Sequence, residues 1–145
     1  MSAAGWRHEV SGGDVEIRGW GATQADAFAQ TTRGLFALLV VESGAIVSSE
    51  RREVRAQADS ASALLAAWID ECLYVHEIEG FVATTVEMTV CTERLAHGVL
   101  DGETLDTARH TMRTPGARPR QVSLEVQGDL HLGTIAMPGL MKDVS

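Results

Sequence analysis

The sequence predicts a single α+β domain over residues 1–145, with two helices packed on a mixed, mainly antiparallel β-sheet. Three observations predict this class. Both segments with helical periodicity lie before Phe81, and most of the segments with alternating apolar residues follow it. The chain also contains no internal repeat, low-complexity segment or linker that would divide it. Early helices followed by several short strands favour α+β over a doubly wound sheet.

The strongest helical pattern spans Ser60–Phe81. Asp59, Ser60 or Ser62 can cap its first turn, and Gly80 stands where a helix usually ends. About 19 residues rising 1.5 Å each give a rod of roughly 28 Å, which is long enough to cross a small domain. The apolar residues that recur at helical spacing are Leu64, Leu65, Trp68, Ile69, Cys72 and Leu73. This segment is therefore predicted to be the main packing helix.

A strand and a second helix precede it. From Asp14 the chain alternates and predicts a half-buried strand: Val15, Ile17 and Gly19 point one way, and Glu16, Arg18 and Trp20 point the other. Thr23 and Asp26 resemble a capping box, and a helix is predicted from Gln24 to Val41. Residues 1–13 are weakly patterned, and Ser11-Gly12-Gly13 indicates a turn or loop.

The remaining strands are predicted from alternation and from β-branched residues. An arginine-rich edge strand is expected at 50–58, and a hairpin at 121–127 and 130–137. Between them, strands are predicted at 81–91 and at 95–100, the second ended by Asp101-Gly102. Pro138-Gly139 interrupts the last strand.

Composition and charge limit the possible functions. The chain has 20 acidic and 12 basic residues, a net charge of −8, and 45% hydrophobic residues. An acidic surface repels phosphate backbones, so direct nucleic-acid binding is disfavoured, and a protein partner, a small ligand or a cation is favoured. No apolar run reaches membrane-spanning length and no secretory signal is present, so we expect a soluble, cytoplasmic protein that does not contact a membrane.

Common catalytic motifs are absent. The chain has no GxSxG, HExxH, Walker loop or helix-opening GxGxxG, which makes a small hydrolase the least supported alternative. His76 lies on the apolar side of the long helix and is interpreted as a core residue rather than a ligand. Cys72 and Cys91 form no metal-type spacing and are expected to be reduced thiols.

Carboxylates are the better candidates for chemistry. Asp14 lies at the start of a strand, Asp70 and Glu71 lie on the long helix, and Glu103 and Asp143 come later. Hard divalent cations bind several oxygen ligands, including backbone carbonyls, and chain ends and loops supply these readily. The alternative interpretation is that these acids are simply solvated surface, and the residue pattern alone leaves both open.

Several segments resemble the archease family, small proteins that assist the RtcB-type RNA ligase in tRNA splicing and RNA repair. DVEIRGWG at 14–21 is similar to the first family strand, which begins with a His-Thr-Ala-Asp motif followed by alternating apolar residues. LLAAWIDECLYVHEIEGF at 64–81 resembles the family's characteristic helix. LAHGVLDGETLD at 95–106, His110 and the terminal pair Asp143-Val144 resemble later family segments.

The resemblance implies an archease-like fold and a non-catalytic accessory role. It implies a divalent-cation site, for Ca²⁺ or for Mg²⁺ or Mn²⁺, formed by Asp14, Asp143 and the backbone carbonyl of Val144. It also implies that the chain promotes guanylylation and turnover of an RtcB-type ligase and meets RNA only indirectly. The family's functional lysine falls near Ala117-Arg118, where Arg118 or Arg120 can keep the positive charge. The alternative is a divergent archease-fold interaction module with another partner and no ligase activation.

Overall fold

The computed structural model describes residues 4–43, 49–104, 110–112 and 118–138. Within these residues, two helices, α1 and α2, occur among nine strands, β1 to β9. In chain order the elements are β1 Gly5–Ser11, β2 Asp14–Gly21, α1 Gln24–Leu39, β3 Val40–Ser43, β4 Glu50–Gln57, α2 Ala61–Glu79, β5 Phe81–Cys91, β6 Leu95–Thr104, β7 His110–Met112, β8 Gln121–Gln127 and β9 Leu130–Pro138.

The described strands form three antiparallel sheets. One sheet has the order β1-β2-β9-β8, a second has the order β4-β6-β5, and β3 pairs with β7. Each strand pair recorded among the described residues is antiparallel. The predicted α+β class, with two helices on a mainly antiparallel sheet, is therefore confirmed.

Both helices contact both of the larger sheets and share one core. Helix α1 contacts β2 and β9 on one side and β5 on the other, and α2 contacts β8 and β4. Thr31 of α1 approaches Gly19 and Gly133 so closely that a Cβ at Gly19 would overlap the Thr31 backbone. Trp68 of α2 is fully buried and contacts Gly98 of β6. The glycines thus let the helices lie close to the sheets.

The long helix has the predicted bounds and caps. The Ser60 hydroxyl accepts a hydrogen bond from the Ala63 backbone N–H at 3.2 Å, which selects Ser60 as the N-cap. Gly80 adopts a left-handed φ of 70° and donates its backbone N–H to the His76 carbonyl at 2.9 Å. His76 is 3% exposed, and its Nδ1–H donates to the Phe81 carbonyl, as expected for a core histidine.

The structure differs from the sequence prediction at β1, at the end of α1 and at the end of β6, and it contains the short strands β3 and β7, which were not predicted. Residues 5–11 form strand β1, which the sequence did not predict. Their alternation is weak because Arg7, His8 and Val10 are all exposed on this edge strand. Helix α1 ends at Leu39 rather than Val41, since β3 begins at the next residue. Strand β6 continues through Asp101-Gly102 to Thr104, because Gly102 fits directly against the Val82 carbonyl of β5.

Candidate cation site and the exposed sheet face

Asp14 lies at one end of the outward face of the four-stranded sheet. It is the first residue of β2 and follows a two-residue turn in which Gly12 and Gly13 have φ values of 59° and 91°. Its strand partners are Ser11 of β1 and Pro138 of β9. The predicted position of Asp14 at the start of a strand, beyond a glycine pair, is confirmed.

Arg120 is the basic residue beside Asp14. The Arg120 Nε lies 3.3 Å from the Asp14 Oδ1, with 65% of the arginine side chain and 27% of the aspartate side chain exposed. The Arg120 backbone N–H donates to the Ala136 carbonyl at 2.8 Å, which fixes this residue beside β9. The Asp14 carboxylate is therefore accessible to solvent and already paired with a cationic side chain.

The other two predicted ligands, Asp143 and Val144, lie outside the described residues. The described chain ends at Pro138, directly opposite Asp14, and the proline ring supplies no oxygen ligand. Within the described ranges, no group of three His, Cys, Asp or Glu side chains is placed to hold a metal ion. The carboxylate chemistry of Asp14 suits a hard divalent cation, but Asp14 supplies only part of an oxygen shell.

Arg118 has a different partner from Arg120. Its Nη1 and Nη2 both donate to the Glu77 carboxylate of α2 at 2.8 Å, forming a two-pronged ion pair. The hydrogen bond to Glu77 raises the pKa of Arg118. Of the two arginines that could keep the positive charge, Arg120 contacts Asp14 and Arg118 contacts Glu77.

The remaining candidate acids lie on α2 and β6. Asp70 and Glu71 are exposed on α2, and Glu71 lines a surface groove of about 280 Å³ together with Arg55 of β4. Glu103 is only 8% exposed and lies on β6 opposite Val82. The structure does not bring these three acids together with Asp14 as one group of metal ligands among the residues it describes.

An ion-pair network occupies the middle of the same outward sheet face. Arg18 donates from Nε and Nη2 to the Glu16 carboxylate at 3.0 and 2.8 Å, and its Nη1 lies 3.4 Å from Glu9. Arg7 also pairs with Glu9, at 3.0 Å. No local sequence pattern predicts this network, because Glu9 and Arg7 belong to the weakly patterned strand β1.

A shallow pocket of about 250 Å³ lies at the far end of this face from Asp14. Its lining residues are Arg7, Arg18, Trp20, Leu130 and Leu132. Trp20 lies over Gly5 of β1, where the missing side chain leaves room for the indole ring. Alternation of β2 predicted that Trp20 faces outward, but the leucines that complete the pocket belong to β9.

The cysteines and the core histidine are poorly suited to nucleophilic catalysis. Burial raises the pKa of both thiols, Cys72 most strongly, so each favours the protonated, unreactive form. Burial lowers the pKa of His76, whose ring nitrogen is used for a backbone hydrogen bond. Both cysteines are free, as expected.

These features define a small α+β protein with an exposed, charged sheet face. A model of the Archease protein family matches residues 6–115. The chain is 31% identical over 110 residues to protein archease of Thermococcus gammatolerans, covering 72% of this chain and 75% of that protein. It is 27% identical over 112 residues to protein archease of Methanopyrus kandleri, covering 75% and 79%. The chain belongs to the archease family.

A solved structure supports the fold. The solution structure of Methanobacterium thermoautotrophicum protein 1598 superimposes with a TM-score of 0.72 at 15% identity, covering 92% of this chain and 98% of that one. In the described part of the chain, neither helix is long and apolar enough to cross a membrane.

Proposed function

We propose that this chain is a non-catalytic accessory protein that promotes guanylylation of an RtcB-type RNA ligase in the cytoplasm, and that it contacts RNA only through the ligase. Membership of the archease family carries this proposal. The net charge of −8 supports a protein partner rather than direct RNA binding, because phosphates would be repelled.

We further propose a divalent-cation site formed by Asp14, Asp143 and the carbonyl of Val144. The observation that supports it is the accessible Asp14 carboxylate at the end of the sheet, where Asp14 is paired with Pro138, the last residue of β9. A bound Ca²⁺, Mg²⁺ or Mn²⁺ would place positive charge at this surface for the partner to recognise. The residues of the chain would hold and orient the ion, and no group of the chain would react covalently.

Reconstituted ligase guanylylation tests the proposal. Purified ligase, GTP and this chain are mixed with or without divalent cation, and the rate at which the ligase acquires guanylate is measured. We expect the wild type to raise this rate and Asp14→Asn or Asp143→Asn to lose most of the effect. Glu16→Gln removes a carboxylate two residues along the same sheet face and should keep the stimulation. No stimulation by the wild type at any cation concentration would overturn the proposal.

The second candidate is an archease-fold interaction module with a different partner. The Asp14–Arg120 pair favours it, because this aspartate already has a cationic side chain as partner. This candidate predicts that the wild type leaves ligase guanylylation unchanged. The same reconstituted assay therefore separates the two candidates.

A further inference from the structure

Strand β1 is an open edge of the four-stranded sheet. Within the described ranges it pairs with β2 alone, whereas β8 at the opposite edge packs against α2. An uncovered edge strand presents backbone groups that can pair with another strand. We propose that two copies of this chain pair their β1 strands antiparallel about a two-fold axis at His8 and so form one continuous sheet.

The turn between β1 and β2 determines which backbone groups of β1 face the open edge. Ser11 and Asp14 flank a two-residue turn, so they form a hydrogen-bonded pair. Hydrogen-bonded and non-hydrogen-bonded pairs alternate along an antiparallel ladder. The backbone N–H and C=O groups of Trp6, His8 and Val10 are therefore directed away from β2.

Strand β8 shows the same rule at the other edge of the sheet. Gln127 and Leu130 flank the β8–β9 turn, so the alternation directs the backbone groups of Leu124 away from β9. The Ser62 hydroxyl of α2 meets them there: it accepts from the Leu124 N–H at 2.9 Å and donates to the Leu124 carbonyl at 3.4 Å. Among the described residues, no such hydrogen bond covers the corresponding backbone groups of β1.

The side chains of β1 are self-complementary about His8, the midpoint of the strand. Antiparallel pairing about this residue places Arg7 opposite Glu9 of the second copy, and Trp6 opposite Val10 of the second copy. Residues 6, 8 and 10 then form the hydrogen-bonded pairs, which agrees with the direction of their backbone groups. Arg7 and Glu9 form the non-hydrogen-bonded pairs, in which side chains approach most closely. Opposite charges and aromatic with β-branched residues are favourable cross-strand pairs.

The exposure of these side chains leaves them available to a second copy. Val10 is 64% exposed, although it is apolar. Arg7 and Glu9 are 57% and 41% exposed and pair within the chain at 3.0 Å, so both can reach across the edge without leaving the core. Charged residues on edge strands usually oppose pairing between copies, but here opposite charges meet. This symmetry favours a second copy over an unrelated strand.

Sedimentation equilibrium of the full chain from micromolar to millimolar concentration measures self-association. We expect the wild type to dimerise reversibly. Arg7→Glu and Glu9→Arg should each raise the Kd of self-association about tenfold, because like charges then meet in both charge pairs. An equimolar mixture of these two variants should recover the wild-type association, since each supplies the charges that the other lacks. Arg94→Glu and Glu125→Arg make the same charge changes away from β1 and should associate as the wild type does.

Hydrogen exchange followed by NMR locates the contact. Amide exchange of Trp6, His8 and Val10 should slow as the protein concentration rises, whereas Arg7 and Glu9 should exchange slowly at every concentration because their amides face β2. A wild type that stays monomeric would overturn the inference, and so would β1 amides that become protected only when the ligase is added. Wild-type association of the two charge variants alone, or no recovery in their mixture, would also overturn it. The inference is independent of the proposed function, because no ligase enters the sedimentation measurement.

Discussion

A buried hydrogen-bond chain links the two helices, and its removal gives a quantitative prediction. The Trp68 Nε1–H of α2 donates to the Thr32 hydroxyl of α1 at 2.8 Å, and that hydroxyl donates to the Phe28 carbonyl at 2.6 Å. Trp68 and Thr32 are both 0% exposed. Thr32→Val keeps the shape of the side chain and removes the hydroxyl, so the indole N–H is left buried without its acceptor.

The expected cost follows from this geometry. A buried donor left without a partner costs about 1–3 kcal/mol, so Thr32→Val should lower the melting temperature by about 3–10 °C in a domain of this size. Trp68→Phe removes the same hydrogen bond and leaves a void beside Gly98, which costs about 2–4 kcal/mol. Because both changes remove one interaction, the double variant should be about 1–2 kcal/mol more stable than additivity predicts.

Urea unfolding of the wild type, both single variants and the double variant measures this coupling. Thr32→Ser is the control, because it keeps the hydroxyl and removes only a methyl group, and it should show no such coupling to Trp68→Phe. Additive costs for Thr32→Val and Trp68→Phe would refute the reasoning, since the two helices would then not be joined by this bond.

Two further predictions concern the core histidine and the closest contact between helix and sheet. Burial lowers the pKa of His76, so as pH falls below the unfolded-state value of about 6.5 the unfolded chain takes up a proton before the folded chain does, and stability declines. His76→Asn keeps a donor for the Phe81 carbonyl without titrating, so urea unfolding between pH 7.5 and 5.5 should show that the variant loses less stability than the wild type. Equal losses of stability would contradict this. Gly19→Ala places a Cβ into the Thr31 backbone and should cost about 3 kcal/mol in a thermal melt, whereas Gly12→Ala, with open space around it but a φ of 59°, should cost about 1 kcal/mol. Equal losses of stability for the two variants would contradict this, because the overlap with Thr31 at Gly19 would then cost no more than the backbone strain at Gly12.

The elements that could be predicted from the sequence are those with one buried face, because burial leaves a regular spacing of apolar residues. The α2 stripe is recognisable because residues such as Leu64, Trp68 and Cys72 are buried on one side at helical spacing. Strand β1 lacks such a signal, since it lies at a sheet edge with exposed side chains on both faces. The β6 extension was missed for another reason: Asp101-Gly102 is typical of a turn, but here Gly102 is required by close approach to β5.

The candidate site was predicted only in part because its contacts are long-range. Local alternation predicted that Asp14 is the first residue of a half-buried strand, and the structure confirms this. Its contact with Arg120 depends on the predicted hairpin of β8 and β9 and also on the pairing of β2 with β9, and no local pattern specifies this second pairing. Sequence reasoning offered Arg118 and Arg120 as equals, and only the folded arrangement separates them. Asp143 and Val144 remain predictions.

The fold and the candidate site should respond independently to substitution. The exposed Asp14–Arg120 pair contributes about 0–1 kcal/mol to folding, so Asp14→Asn should remove the proposed cation binding with little change in melting temperature. Trp68→Phe should lower the melting temperature and leave the proposed cation binding unchanged, because the contacts of Trp68 lie in the core between the helices and β6. The long helix α2 therefore identifies the family and stabilises the fold, while the proposed cation site lies at the solvent-accessible start of β2. This independence makes loss of function by Asp14 variants interpretable, because it separates a missing ligand from a destabilised fold.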